Sequence, residues 1–259
     1  MRLLVLLVAG VLAFAGLTAA APPPTLRPGA LTVGAEFPTP GFMSASRTQA
    51  SGYEADLVTA VARRLGIAKV AWLEVPWETL WQAGTPQTFD FDVDSITITP
   101  ARAKAVAFSA PYFRANLGLL VRRDSPIAST HTLKGLRGYR LGASTGTMGA
   151  SYLAQTLRPR TAARSYASDA LMLAALRTGK IDGLLLDVPA AVAFAQQRPH
   201  DFSVSGQIPV DQRYGLLFAK GSSLVGPVDS ALASLRSDGT LTRIQQKWFP
   251  GSAALTVIR

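Results

Sequence analysis

The chain has no cysteine, which excludes disulfides, thiolate metal sites, a cysteine nucleophile and lipid attachment through an N-terminal cysteine. Histidine is almost as scarce. His131 and His200 are the only two, both in polar, turn-like contexts without metal-ligand spacing, so no metal and no cofactor is expected. No Ser–His nucleophile set is apparent. Acidic residues are few, with 16 Asp and Glu against 26 Lys and Arg and a net charge of +10. A basic excess can mark a nucleic-acid partner. Here the arginines are scattered and no basic cluster is interleaved with aromatics. The reading is therefore a solvated basic surface facing an anionic envelope, with no nucleic acid. Long apolar runs are missing except at the start, where Leu3 to Leu17 follows Met1-Arg2 and leads into Thr18–Ala21 and Pro22–Pro24. That run is shorter than the roughly 20 residues of a membrane helix. It reads as a cleaved secretory signal peptide over 1–21, followed by a proline-rich linker over 22–29. The mature protein is expected in the periplasm or otherwise outside the cytoplasm, and not as a lipoprotein.

What remains is 48% hydrophobic, enough for a full core in one large domain or two lobes. Leu31–Gly34, Val70–Val75 and Phe91–Thr99 read as strands, with helices at Gly52–Leu65 and Trp77–Ala83 between them. Asn116–Arg123 and Tyr214–Ala219 read as extended. Between these two lies a second alternating set: strands at Tyr139–Ala143 and Ile181–Leu186, helices at Thr147–Leu157, Ser168–Thr178 and Pro189–Gln197. Helices at Ser222–Arg236 and Thr240–Trp248 close the chain. Strand–helix alternation implies an α/β fold with parallel-rich sheets.

The most informative run is Ser95-Ile-Thr-Ile-Thr-Pro-Ala-Arg102, followed by Ala107-Phe-Ser-Ala-Pro-Tyr112. Hydroxyls and an arginine stand where a strand gives way to a helix. Thr99 suits the cap and Pro100 the first helical position. Helix-start N–H groups attract an anion, and a guanidinium beside them can grip a carboxylate with two parallel bonds. The same pattern also fits a plain capped helix with a solvated arginine.

Four further blocks stand in order around it: Gly52-Tyr-Glu-Ala-Asp-Leu-Val-Thr-Ala-Val-Ala62; Leu136-Arg-Gly-Tyr-Arg-Leu-Gly142 with Gly146-Thr147; Gly179-Lys-Ile-Asp-Gly183 with Asp187; and Asp238 to Phe249. Together the five blocks cover about residues 30 to 250. They resemble the polar amino-acid family of bacterial solute-binding proteins (extracellular solute-binding proteins, family 3), the extracytoplasmic receptors of ABC importers.

The resemblance implies a two-lobed periplasmic-binding-protein fold of type II, with two crossover strands forming a hinge. Lobe 1 would take 30–119 plus 217–255 and lobe 2 would take 120–216. It implies a monomer that binds a free L-amino acid between the lobes and delivers it to an ABC transporter permease in the membrane. Arg102 would take the α-carboxylate, with Thr97 and Ser95 beside it. Thr147 and the Met148 backbone would close from lobe 2. Met148 departs from the small residues usual there, which leaves its N–H as the contact. Asp187 would take the α-ammonium, although an Asp before a helix also fits a plain N-cap; Asp182 matches a structural acid of the family. Tyr53 would pack on the ligand side chain, although an aromatic at a helix start also fits plain core. Glu36 matches a frequent pocket acid, and Asp94 stands where relatives carry Ser, Gly or Ala. Together Glu36 and Asp94 would favour a cationic ligand, although Asp94 also fits pairing with a protein arginine or holding a loop. The alternatives are a dehydratase acting on arogenate or prephenate on the same fold, or a sensory amino-acid-binding module. No catalytic residues are assigned, because the protein is read as a non-enzyme.

Overall fold

The computed structural model describes residues 21–44, 49–80, 88–249 and 255–259. Apart from Ala21, the expected signal peptide lies outside the described residues. No helix among them is long and apolar enough to cross a membrane.

The chain forms two α/β lobes, each on a five-stranded mixed sheet. The first lobe begins with β1 (Ala30–Ala35), α1 (Tyr53–Arg64), β2 (Lys69–Glu74), β3 (Phe91–Asp92), α2 (Arg102–Ala105) and β4 (Ala107–Phe108). The second contains β5 (Phe113–Arg122), α3 (Leu133–Leu136), β6 (Leu141–Ser144), α4 (Met148–Tyr152), β7 (Arg164–Tyr166), α5 (Asp169–Arg177), β8 (Gly183–Asp187), α6 (Val188–Gln197) and β9 (Phe202–Tyr214). The chain then returns through β10 (Leu217–Phe218) to α7 (Val225–Ser237) and α8 (Thr240–Trp248). The first sheet runs β2-β1-β3-β10-β4 and the second β7-β6-β8-β5-β9. In both, three parallel strands are joined by antiparallel partners. The α/β architecture with two lobes is as expected.

Local chemistry explains α1. Glu54 and Asp56 sit in its first turn and Arg63 and Arg64 in its last, matching the helix dipole. Tyr53, Leu57, Val58 and Val61 form its buried stripe at helical spacing. Gly52 starts the helix at φ 133°, where a Cβ would lie 2.1 Å from the Phe42 carbonyl oxygen, so no side chain fits. In the second lobe, β5 and β8 are covered on both faces. Leu117, Leu119, Val121 and Leu185 pack against Ile127, Leu141 and Leu153 on one side. On the other, Leu120, Leu184 and Leu186 meet Met172, Leu176, Phe194 and Phe202. This is the period-2 signature of a sheet between two layers.

Three sequence-based expectations change. The strand expected over Phe91–Thr99 ends at Asp92, because Ser95 turns into the left-handed region at φ 50°. Its N–H and hydroxyl donate to Glu54 Oε1 at 2.8 and 3.1 Å, bonds that redirect it from a ladder to the buried acid. Thr99 does cap the turn that follows, accepting from the Arg102 N–H at 3.2 Å. The helix expected over Trp77–Ala83 is a single turn, Trp77–Thr79, with 81–83 outside the described residues. The 13-residue β9, Phe202–Tyr214, was not anticipated. Pro209 and Gly206 both disfavour a strand interior. In the structure Pro209 falls where the β5–β9 register slips between Leu117↔Ile208 and Ala115↔Gln212, a bulge that needs no N–H from it.

The lobes connect where Ser109–Phe113 runs beside Tyr214–Leu217. Ser109 N–H donates to the Leu216 carbonyl at 3.0 Å and Tyr112 N–H to the Tyr214 carbonyl at 2.9 Å. The boundary expected at 119–120 falls inside β5, which pairs in the second sheet from Phe113 onward. The C-terminal residues also differ from expectation. α8 packs on α1 and α7, but residues 255–259 lie on the second lobe. Gln207 N–H donates to the Thr256 carbonyl and Ile258 N–H to the Gln207 carbonyl, both at 2.8 Å, and Ile258 is buried in that lobe's core.

Candidate ligand site between the lobes

A cavity of about 470 Å³ lies between the lobes. It sits beyond the carboxyl ends of parallel strands β1, β3, β6 and β8, the usual place for a ligand in open α/β sheets. Glu36, Asp94, Ser95, Thr97, Arg102, Thr147, Met148 and Asp187 all line it. The lobes touch across it, with Arg102 Nη2 donating to the Gly146 carbonyl at 2.9 Å.

Arg102 projects from the start of α2. Its Nη1 donates to the Thr97 carbonyl at 2.9 Å, and its guanidinium carbon lies 5.0 Å from the Trp77 ring centroid. Burial lowers its pKa to about 10, against the field of Asp187. It therefore remains a cation at neutral pH. A guanidinium has five N–H donors in one plane, so a carboxylate can be received beside the two carbonyls.

Asp187 ends β8 and occupies the N-cap position of α6, but its side chain makes no capping bond. The plain cap therefore does not account for it. Gln212 Nε2 donates to its Oδ1 at 2.8 Å and to the Tyr214 hydroxyl beside it at 3.1 Å. Burial raises the pKa of Asp187, while Tyr214, Gln212 and Arg102 oppose the rise. Arg102 and Asp187 thus present opposite charges to one cavity from opposite lobes.

Thr147 caps α4. Its hydroxyl donates to the Ser144 carbonyl at 2.7 Å and accepts from the Ala150 N–H at 3.4 Å. Gly149 behind it lies so close to β8 that a Cβ would sit 2.2 Å from the Leu185 carbonyl oxygen. This close packing seats the Thr147–Met148 turn at the cavity wall.

Two expectations need correction. Tyr53 does not line the cavity. It is 1% exposed, donates its hydroxyl to the Tyr112 carbonyl at 3.3 Å, and packs among Phe42, Phe113 and Phe249 in the first-lobe core. As the first residue of the buried stripe of α1 it turns inward with Leu57. The aromatic wall comes instead from Phe37, Phe42 and Trp77. Asp94 lines the cavity, but both its carboxylate oxygens are engaged. Oδ2 accepts from the Glu36 N–H at 3.0 Å and Oδ1 from the Thr39 hydroxyl at 2.8 Å. Asp94 holds the turn after β1, and with it Glu36. Burial first, then Asp92 and Glu54, push its pKa well up.

The sequence reading missed Glu78 and Asp169, which line the same cavity as Glu36. Burial raises the pKa of Glu36, and the charges of Glu78 and Asp169 raise it further; burial also raises Asp169. Trp77 and Glu78 follow the end of β2 just as Glu36 follows β1, so strand-end logic points to them. Asp169 follows β7, a three-residue strand without a hydrophobic pattern of its own. No group of three or more described carboxylate or histidine side chains could hold a metal ion.

The model of bacterial extracellular solute-binding proteins, family 3, matches residues 31–251. Among relatives, the L-cystine-binding protein TcyJ of Escherichia coli (strain K12) is 27% identical over 223 residues, covering 85% of this chain and 83% of its own length. A solved structure of an ancestral arginine-binding protein bound to arginine matches with a TM-score of 0.75 and 27% identity, over 85% of this chain and 98% of that one. The ancestral amino acid-binding protein AncCDT-1, a precursor of cyclohexadienyl dehydratase, matches with a TM-score of 0.73 and 26% identity, over 85% and 95%. The resemblance drawn from five short motifs therefore holds along the folded chain, which belongs to the bacterial extracellular solute-binding proteins, family 3.

Proposed function

We propose that this protein is an extracytoplasmic receptor that binds a free L-amino acid between its lobes and hands it to the permease of an ABC importer. The observation that carries this reading is Arg102 and Asp187 facing one interlobe cavity from opposite sides. The first suits an α-carboxylate and the second an α-ammonium. The cystine and arginine named for two relatives support an amino acid as the ligand. Thr97, Thr147 and the Met148 backbone complete the zwitterion end. The carboxylates at the opposite end favour a cationic side chain, and the aromatic wall covers its apolar stem.

The enzymatic alternative rests on the dehydratase descent of one structural relative. A dehydratase needs a general acid placed on a leaving group. Asp187 instead has the setting of an ammonium acceptor, held ready by Gln212 and Tyr214. Binding without turnover is therefore the reading. Isothermal calorimetry of the mature protein against the amino acids tests it: saturable binding with the ligand recovered intact is expected. A ligand at 100 times its Kd should add about 2.7 kcal/mol of stability in a parallel thermal-shift screen. Consumption of the ligand, or binding of none, would overturn it.

The lobes would hinge at Ser109–Phe113 and Tyr214–Leu217, where two short connections run side by side. A ligand bonded to both Arg102 and Asp187 stabilises the closed form only through contacts the open form lacks. Small-angle scattering should therefore record a smaller radius of gyration with saturating arginine. An unchanged radius would remove ligand-driven closure from the mechanism.

A further inference from the structure

The charges around the cavity do not balance. Arg102 is the one basic side chain among its described lining residues, against five acids: Glu36, Glu78 and Asp94 from the first lobe, Asp169 and Asp187 from the second. Asp187 is opposed by Arg102, and Asp94 is engaged by the Glu36 N–H and the Thr39 hydroxyl. Glu36, Glu78 and Asp169 remain, converging from the end of β1, the turn after β2 and the first turn of α5. Around them the other charges are also negative. Glu74 at the end of β2 acts on Glu36, as do Glu78 and Asp169. Behind Asp94 stand the fully buried Asp92 and Glu54. Like charges and burial on this wall oppose ionisation, so Glu36 and Asp169 take up protons more readily than free carboxylates do.

The cation that would replace those protons is not a metal, since no three of the described carboxylates are placed to share one. It must enter with an apolar stem, because Phe37, Phe42, Trp77, Met172 and Phe194 line the same cavity. Its α-carboxylate and α-ammonium are anchored at Arg102 and Asp187. A long side chain with a terminal ammonium or guanidinium meets these conditions.

Building on the amino-acid receptor reading, we propose that this cavity takes a long cationic L-amino acid in exchange for protons held by Glu36 and Asp169, at the end of the cavity they share with Glu78. Asp169 is the second lobe's determinant of specificity there. The incoming cation supplies the missing counter-charge, so a carboxylic acid gives up its proton to solvent as the ligand seats. Because Glu36 and Glu78 belong to one lobe and Asp169 to the other, the side chain also draws the lobes together at a second point. Binding is therefore weakened by acid. The direction is set by Glu36 and Asp169, whose raised pKa values in the empty cavity fall when the cation arrives.

Calorimetry of the mature protein with arginine and with glutamine, in buffers of different ionisation enthalpy at about pH 5 and about pH 7.5, tests this. For arginine, the buffer dependence should report net proton release near pH 5, and affinity should rise by up to about tenfold per pH unit for each proton released. Glutamine should release fewer protons than arginine. Asp169→Asn and Glu36→Gln, each first verified as folded by thermal melting, should release fewer protons with arginine and lower the ratio of arginine to glutamine affinity at least about tenfold. Arginine binding without proton release, or an Asp169→Asn ratio equal to that of wild type, overturns the proposal. In that case tight glutamine binding would still leave the receptor reading standing. Failure of both to bind at either pH while another amino acid binds would overturn this proposal alone; binding of no amino acid at all would overturn both.

Discussion

Replacing Arg102 with alanine is expected to weaken amino-acid binding at a cost of about 2–5 kcal/mol, or roughly 30- to 5,000-fold in Kd. The size follows from where the guanidinium sits. It is largely buried, stacked on Trp77 and bonded to the Thr97 and Gly146 carbonyls. Its removal takes away the charge-assisted partner of the ligand carboxylate and leaves that carboxylate desolvated. It also leaves Asp187 without the one basic side chain among the described cavity residues. Arg102→Lys should recover only part of the loss, because an ammonium cannot form the planar two-bond fork or stack as well on Trp77. Calorimetry with the preferred ligand decides the matter. Wild-type affinity in Arg102→Ala would place the zwitterion site elsewhere.

The folded protein should also lose stability as pH rises from about 4.5 to 7, with Glu54 alone contributing about 3 kcal/mol of that fall. Glu54 is fully buried at the start of α1. Its Oε1 accepts from the Ser95 N–H, the Ser95 hydroxyl and the Tyr112 hydroxyl, and its Oε2 has no hydrogen-bond partner in the structure. Burial raises its pKa from 4.5 to about 7, against the pull of those three bonds. Between these values the folded state holds a proton that the unfolded state has released. The group's contribution is complete below pH 4.5 and is lost as pH rises through about 7. Asp92, whose two carboxylate oxygens have no hydrogen-bond partner in the structure, and Asp94 act in the same direction. Comparing wild type with Glu54→Gln isolates the one group. Urea unfolding at about pH 5 and about pH 8 should show the variant losing less stability between the two. Parallel pH profiles for the two proteins would mean that Glu54 is ionised throughout.

Glu54 links this stability argument to the site. By holding Ser95 at φ 50°, it ends β3 early and turns the chain toward Thr97 and Arg102. A buried acid in a helix stripe otherwise composed of Tyr53, Leu57, Val58 and Val61 is costly unless bonded. Here its bonds shape the binding loop, and Tyr112 ties it to the connection between the lobes.

The elements set by local chemistry were readable from the sequence alone. The α1 stripe, the Thr99 cap, the strand ending in Asp187 and the two alternating α/β sets follow from periodicity and end signals. Arg102, Thr97 and Asp187 were singled out by the family resemblance of their motifs; their places at strand ends and helix starts fitted that reading but also fitted a plain cap and a solvated arginine. Tertiary structure decided the rest. Tyr53 and Phe42 are both aromatic and buried and both pack against Phe113 and Phe249, yet Phe42 lines the cavity and Tyr53 does not. β9 could not be recognised from its own residues, because its pairing is made with β5, which lies about 90 residues earlier in the chain. Asp94 lines the cavity, but that it also holds the turn after β1, through the Glu36 N–H and the Thr39 hydroxyl, is set by the tertiary structure. Asp169 shares a cavity with Glu36 only because two lobes face each other. Periodicity and capping act between neighbours in sequence, whereas burial, register and the field of one charge on another depend on distance in space.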